Sequence, residues 1–371
     1  MTQPMQELHQ CGQSVWLDFI TRQFMADGKL TALIANDGIS GVTSNPTIFQ
    51  KAITGGKEYD VTISRLLHAG KNSGQIFDAL AIEDIQKACD LFRPVYDRTK
   101  GADGFVSLEV NPHLARDTPQ TLSEARRLFR AVGRPNVMIK IPGTREGLPA
   151  IEQTLGEGIN INVTLIFALE RYQEVMNAWL AGLERLDKSG KPLSSVASVA
   201  SFFVSRVDSL VDGVLEKQKP AAYEALLGKA AIANARLAYA MFLKTKDTPR
   251  FRALAAKGAR VQRPLWASTS TKNPKYRDVI YVEELVGPET VNTLPLATVE
   301  AVRDHAKVRV ALPGDVSAAE KAIQDLAKAG IAMDQVTRQL EEDGLKLFSA
   351  SYDDLIKSLD QKKDTLKVTA R

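Results

Sequence analysis

The sequence predicts an α/β fold: an eight-stranded (β/α)8 TIM barrel with additional C-terminal helices. Three observations carry this. Eight short apolar runs recur along 371 residues, helical patterns separate most of them, and no phosphate-cradling glycine motif is present. Strands alternating with helices pair in parallel, and eight is the number that closes a barrel. A doubly wound open sheet is the alternative. Against it, GxGxxG and GxxxxGK[ST] are absent, and GEGINI at 156–161 lacks the third glycine.

In chain order, the runs read as strands are VWLDFI (15–20), GVTSN (41–45), FVSLEV (105–110), NVMIKIP (136–142), INVTLIF (161–167), SVASFFV (198–204), PLWAST (264–269) and TVNTLP (290–295). Amphipathic stretches at 72–93, 121–133, 146–157, 168–187, 205–218 and 221–244 read as helices. The connections 45–105 and 204–264 are long enough for further helices, and after 313 the chain is nearly all helical, ending in 336–361. The reading is a single barrel domain over 1–371, with 314–371 as a helical extension packed on it.

Composition excludes several function classes. Lys+Arg 48 against Asp+Glu 44 gives a net charge of +4, with 44% apolar and 25% charged residues, as in soluble globular proteins. No basic block points to nucleic acid, and Lys362, Lys363 and Lys367 read as a solvated tail. Cys11 and Cys89 form no CxxC pair and no disulfide framework, which predicts a reducing, cytoplasmic setting. No 18-residue apolar run and no signal-peptide pattern occurs, so no membrane association is expected. Four histidines (His9, His68, His113, His305) fall in no metal-ligand spacing.

Side chains alternate faces along a strand, and four strands place polar residues opposite an apolar face. Asp18 opposes Val15, Leu17 and Phe19. Ser107 and Glu109 oppose Val106, Leu108 and Val110. Lys140 opposes Val137, Ile139 and Ile141, and Asn160, Asn162 and Thr164 oppose Ile161, Val163 and Leu165. With the apolar face against the outer helices, the polar face points into the barrel near the C-terminal strand ends, where barrel enzymes place their chemistry. An unpaired charge there costs several kcal/mol or shifts its pKa. The repetition reads as a polar pocket.

Lys140 is its centre. A free amine attacks a ketone to form an iminium, an electron sink for breaking the adjacent carbon–carbon bond. That requires its ordinary pKa of about 10.4 to fall by roughly three units, which an apolar strand favours. The other reading is an interior lysine paired with Asp18 or Glu109. Those two carboxylates are either general acid/bases or neutralisers of Lys140 or Arg206. Asn45, in TSNP, is equally a turn residue before Pro46. Asn162 and Thr164 are equally hydrogen-bonders of a barrel layer, and Ser201 equally a small interior filler.

GVTSNPTIF (41–49), VSLEVNP (106–112), NVMIKIPGTREGLPAIEQ (136–153), GININVTLIF (158–167) and SFFVSRVD (201–208) together resemble transaldolases. The resemblance runs over about residues 8–310 and is to the longer bacterial form, with its extended C-terminal helical segment. It implies a class I aldolase-type barrel using no metal or organic cofactor. Lys140 would form the Schiff base with a ketose phosphate, and Asp18 would take the proton from the hydroxyl whose carbon leaves. Glu109 and Thr164 would hold the relaying water, and Asn45 and Asn162 the dihydroxyacetone hydroxyls. Ser201 and Phe203 would line the same cavity. Arg206 and Ser268 match the phosphate-binding pair. Shorter relatives carry a second arginine where this chain has Ser270, and Lys272 is the candidate to replace its charge.

The expected activity is transfer of dihydroxyacetone from sedoheptulose 7-phosphate to glyceraldehyde 3-phosphate. Its rivals are a fructose 6-phosphate aldolase-like lyase, a sugar-phosphate binding barrel without a reactive amine, and a metal-dependent aldolase. Lyase relatives tend to carry glutamine and tyrosine where Glu109 and Phe203 stand. The expected partners are sugar phosphates, with the chain a monomer or homodimer.

Overall fold

All eight apolar runs form strands, and each pairs in parallel with its sequence neighbours: β1 (Gln13–Leu17), β2 (Gly41–Thr43), β3 (Phe105–Glu109), β4 (Val137–Pro142), β5 (Ile161–Ile166), β6 (Ser198–Phe203), β7 (Gln262–Ala267) and β8 (Thr290–Leu294). β8 returns to β1, with Trp16 opposite Thr293, so the sheet closes into a barrel without an edge. This computed structural model describes residues 3–218 and 223–369, the side chains from 363 onward excepted. The first run ends as a strand at Leu17, but the Asp18 amide still donates to the Leu294 carbonyl at 2.9 Å, extending the ladder by one rung.

The apolar strand faces meet the helices, as Val137, Ile139, Ile141, Ile161 and Val163, all fully buried, illustrate. The inner face is filled in layers. At the N-terminal end, Trp16 Nε1 donates to Asp103 Oδ1 at 2.7 Å and Ser40 Oγ to Asp103 Oδ2 at 3.0 Å. Arg263 lies 3.5 Å from Asp103 and donates to Ser14 Oγ at 2.7 Å, so this buried carboxylate is compensated on several sides. One layer higher, Asn162 Nδ2 donates to Ser107 Oγ at 3.0 Å, and Ser201 Oγ donates to Asn162 Oδ1 at 2.7 Å. The layer above that is the polar pocket.

One helical expectation fails in part. Of the stretch 221–244, residues 221 and 222 lie outside the described residues, Glu224–Leu226 form a 3-10 turn, and the α-helix after it runs from Ala230 to Lys246. Asp208 and Asp212 explain the break: their carboxylates accept the Ala231 and Gly228 amides at 2.7 and 3.0 Å. Amides at a helix start need such partners. By length and composition, Glu224–Lys246 is apolar enough to cross a membrane. Here the Ala230–Lys246 helix packs on the helices Val316–Lys328, Ser205–Gln218 and Leu169–Lys188, and its Ala231, Ala235, Ala238 and Phe242 are buried.

The C-terminal helix, Met333–Thr369, packs on the helices Pro46–Gly55, Ser73–Arg98 and Ser205–Gln218 and on β5. Polar tethers fix it: Arg116 pairs with Glu342, His113 Nε2 lies 2.7 Å from Asp353, and Thr47 and Ser351 hydroxyls are 2.8 Å apart. Lys362 is not part of a solvated tail. Its ammonium donates to the Ile53 and Gly56 carbonyls at 3.2 and 3.0 Å and pairs with Asp60 at 2.6 Å. The unsatisfied carbonyls at the end of the Pro46–Gly55 helix supply the reason. The side chains of Lys363 and Lys367 lie outside the described residues.

Two stability predictions follow from this packing. A Cβ on Gly41 would sit 2.6 Å from the fully buried Trp16 ring. Gly41→Ala should therefore cost about 1–3 kcal/mol in denaturant unfolding, and an unchanged midpoint would contradict the packing. Burial pushes the Asp208 carboxyl up to about 6, against the two donors it accepts from Ala231 and Tyr281. A raised folded-state pKa means the folded form binds the proton more tightly. The stability attributable to Asp208 is then full below about pH 4 and falls as the pH rises towards 6, by about 3 kcal/mol at most. Thermal melts should show the parent losing Tm across that window relative to Asp208→Asn.

Candidate active site

Parallel register brings the central pair together. Glu109, the last residue of β3, is the Cα partner of Lys140, the fourth of β4, and Lys140 is in turn opposite Asn162 on β5. Lys140 Nζ lies 3.3 Å from Glu109 Oε2 and donates to the Ser44 carbonyl at 3.3 Å. The side chains are only 6% and 3% exposed. Both Glu109 oxygens nevertheless lack a hydrogen-bond partner, so the contact is an ion-pair approach rather than an aligned bond. Burial pushes the Glu109 carboxyl up, the Lys140 ammonium pulls it back, and Asp18 adds to the rise. Thr164 Oγ1 is a third buried polar atom without a partner. Orphaned buried atoms at such density mark a place built to receive hydrogen bonds from a guest.

A cavity of about 490 Å³ opens over Lys140, lined by Asp18, Asn45, Thr164, Ser201, Phe203, Arg206, Ser268 and Lys272 among others. Asp18 is fixed by the Thr43 hydroxyl, which donates to its Oδ1 at 2.6 Å. Asn45 fulfils both sequence readings. Its Oδ1 caps the Pro46–Gly55 helix by accepting the Ile48 amide at 2.9 Å, while its residue forms part of the cavity wall. Asn162 is placed differently: fully buried, it lies in the layer beneath and does not line the cavity, its amide spent on Ser107 and Ser201. Glu109 sits behind Lys140 rather than on the cavity wall.

The outer rim is cationic. Arg206, at the start of the Ser205–Gln218 helix, lies over the Phe203 ring at 5.2 Å. Lys272 Nζ donates to Ser270 Oγ at 2.7 Å. Burial lowers the pKa of both, Arg206 and Lys51 lower Lys272 further, and Asp18 opposes the fall in each. Among the described residues, none of Lys51, Arg206 and Lys272 makes an ion pair. Ser268 adopts a left-handed φ of 56°, a strained choice for a residue with a side chain. In that conformation its hydroxyl is 3.0 Å from Ser205 Oγ and its carbonyl accepts the Ser205 amide at 3.0 Å. Unpaired cations beside a helix N-terminus are suited to an anion such as a phosphate.

Six contributors were missed in the sequence. Thr47, Ile48, Lys51 and Ala52 all line the cavity, a helical spacing after the Asn45 cap that a helical-face reading would have found. Leu347 and Phe348 reach the cavity from the C-terminal helix, with the Phe348 ring 5.8 Å from Lys140 Nζ. No local pattern marks them. A second cavity, about 560 Å³, lies on the other side of Asn45 and Glu109. Its one arginine, Arg127, is already paired with Asp78 and Glu124 at 2.8 and 2.7 Å, and it holds no amine or thiol nucleophile.

Comparison with known proteins agrees with this geometry. Residues 15–359 match the family model described as Transaldolase/Fructose-6-phosphate aldolase. A protein named transaldolase from Acidothermus cellulolyticus is 51% identical over 356 residues, covering 96% of this chain and 95% of its own. One of the same name from Parafrankia is 50% identical over 364 residues, covering 97% and 98%. Another from Trichodesmium erythraeum is 46% identical over 372 residues, covering 98% of each. With matches of this extent, and eight parallel strands closing around a buried lysine–glutamate pair, the chain belongs to the transaldolase/fructose-6-phosphate aldolase family.

Proposed function

We propose that this chain is a transaldolase, a transferase of the non-oxidative pentose phosphate pathway. It moves a dihydroxyacetone unit from sedoheptulose 7-phosphate to glyceraldehyde 3-phosphate, giving erythrose 4-phosphate and fructose 6-phosphate. The observation that carries this reading is the buried Lys140 amine beside a buried carboxyl that holds its proton more tightly than usual, beneath a rim of unpaired cations.

In this reading the Lys140 amine attacks the ketose carbonyl, and the resulting carbinolamine loses water to give the iminium. Losing that water requires a proton on the departing hydroxyl. Glu109, its carboxyl pushed up by burial, is suited to deliver it, with Thr164 holding the water. Asp18 then takes the hydroxyl proton of the next carbon but one, the C3–C4 bond breaks, and its electrons enter the iminium. The aldose leaves. The three-carbon carbanion remains on Lys140, attacks the aldehyde of the acceptor, and the new alkoxide recovers the proton from Asp18. Water then releases the product ketose. Asn45, Ser201 and Phe203 surround the three-carbon unit, with Asn162 positioning Ser201 from below. Arg206, Ser268, Lys272 and Lys51 face the phosphate. No step calls for a metal ion or an organic cofactor.

The same chemistry without an acceptor is the lyase reaction that the family description also covers. Glu109 and Phe203 stand where the resemblance places the transferase residues, which favours transfer. A coupled assay with fructose 6-phosphate, run with and without erythrose 4-phosphate, decides: turnover indifferent to the acceptor would favour the lyase.

Lys140→Met removes the amine but keeps much of the apolar stem. Carbon-unit exchange should fall by roughly three orders of magnitude or more, and borohydride should no longer trap a sugar on the protein. Undiminished exchange would overturn the Schiff base. Lys51→Ala should raise KM for fructose 6-phosphate roughly tenfold with a smaller change in kcat, and leave turnover of unphosphorylated fructose nearly unaltered. Equal losses on both substrates would remove Lys51 from the phosphate site.

A further inference from the structure

We propose that Phe348, delivered by the C-terminal helix, favours transfer by excluding water from the three-carbon intermediate on Lys140, in addition to the contribution of Glu109 and Phe203. This rests on the Schiff-base reading above. After the aldose leaves, the carbanion has two fates. It attacks an acceptor aldehyde, forming a carbon–carbon bond. Otherwise its carbon takes a proton, such as the one Asp18 has just received, and a water adds to the iminium carbon. The carbon–nitrogen bond then breaks, freeing dihydroxyacetone and the Lys140 amine. Both routes end in hydrolysis of an iminium, but only the second needs water at the three-carbon stage, so whatever denies water access before the acceptor arrives decides between them.

Among the described residues, Lys140 Nζ makes three polar or ring contacts: with Ser44 O and Glu109 Oε2, each at 3.3 Å, and with the Phe348 ring at 5.8 Å. Phe348 is 3% exposed, and it lines the cavity beside Leu347, which is 46% exposed. The inner ring therefore adjoins the nucleophile, while its neighbour meets solvent. The helix carrying them is not free to drift. Gly344, one turn earlier, approaches so closely that a Cβ there would lie 2.9 Å from Leu165 and 3.8 Å from Arg206. The Thr47–Ser351 contact at 2.8 Å and the Arg116–Glu342 pair hold the segment on either side. Of the other cavity phenylalanines, Phe203 is engaged with the Arg206 guanidinium and the Phe167 ring at 5.1 Å, and Phe19 with the Phe24 ring at 5.2 Å. Among the described residues, Phe348 carries the ring that meets the amine.

The test is the lifetime of the covalent intermediate. Full-length protein is given fructose 6-phosphate without acceptor, the released aldehyde is withdrawn by a coupling dehydrogenase, and borohydride quenches at intervals fix the adduct for mass spectrometry. In Phe348→Ala the dihydroxyacetone adduct on Lys140 should decay about tenfold faster than in the parent, with a matching rise in acceptor-independent turnover. Phe348→Leu, which keeps an apolar cap of smaller area, should lie between them; it also carries the test should the alanine variant not fold. Equal lifetimes in parent and variants would overturn the role of Phe348 while leaving the Schiff base intact. No adduct in the parent would overturn both.

Discussion

The structure turns on two ionisable groups, Lys140 and Glu109, held 3.3 Å apart where water is nearly excluded. Taking either charge out of water is expensive, and an ion pair repays that cost only when its geometry and hydrogen bonding are complete. Here they are incomplete: neither Glu109 oxygen has a hydrogen-bond partner, and burial resists the carboxylate's charge. A pair in this condition stores the capacity to exchange a proton. A fully satisfied salt bridge would be more stable and chemically inert. In the proposed reaction, the substrate would complete this poor electrostatic contact.

Such a contact needs a scaffold that does not relax around it. The barrel supplies one from below. Asp103, gripped by Trp16, Ser40 and Arg263, locks the N-terminal end of the interior. The Ser107–Asn162–Ser201 chain ties β3, β5 and β6 across the next layer. Gly41 belongs to the same design, since the space a side chain would need there is taken by the Trp16 ring. Above these layers, both Glu109 oxygens and Thr164 Oγ1 are left unsatisfied beside the buried amine.

The strands were legible because burial on both faces forces continuous apolar runs, so single polar residues such as Lys140, Glu109 and Asp18 stood out against them. Their meeting was legible too, because parallel register and side-chain alternation carry residues of neighbouring strands to one depth. The missed features share another cause: they depend on contacts between segments far apart in the chain. Phe348 lies over 200 residues from Lys140, and its helix shows an ordinary amphipathic pattern. Lys362 looked like part of a basic tail, because nothing local reveals that it meets the carbonyls of Ile53 and Gly56. The start of the Ala230–Lys246 helix was misplaced for the same reason, its amides being claimed by Asp208 and Asp212. Asn162 was assigned to the right face, but depth within a barrel follows from shear, which periodicity does not encode.

The cavity is graded from dry to wet, and that gradient orients what enters it. At its inner end, Lys140 and Glu109 are almost wholly enclosed and Phe348 covers the amine. At its outer end, the side chains of Lys51 and Lys272 are exposed and carry charge without carboxylate partners. A phosphate dianion pushed inward would lose its hydration beside the Glu109 carboxyl, whereas at the rim it keeps much of its water and meets three cations. A ketone carbonyl loses little by entering the dry end. In the proposed reaction, long-range charge and local desolvation would therefore point a sugar phosphate the same way, carbonyl towards Lys140 and phosphate towards Arg206. The amine would then need no separate device to select the carbon it attacks, because a sugar phosphate that satisfied the rim would already present it.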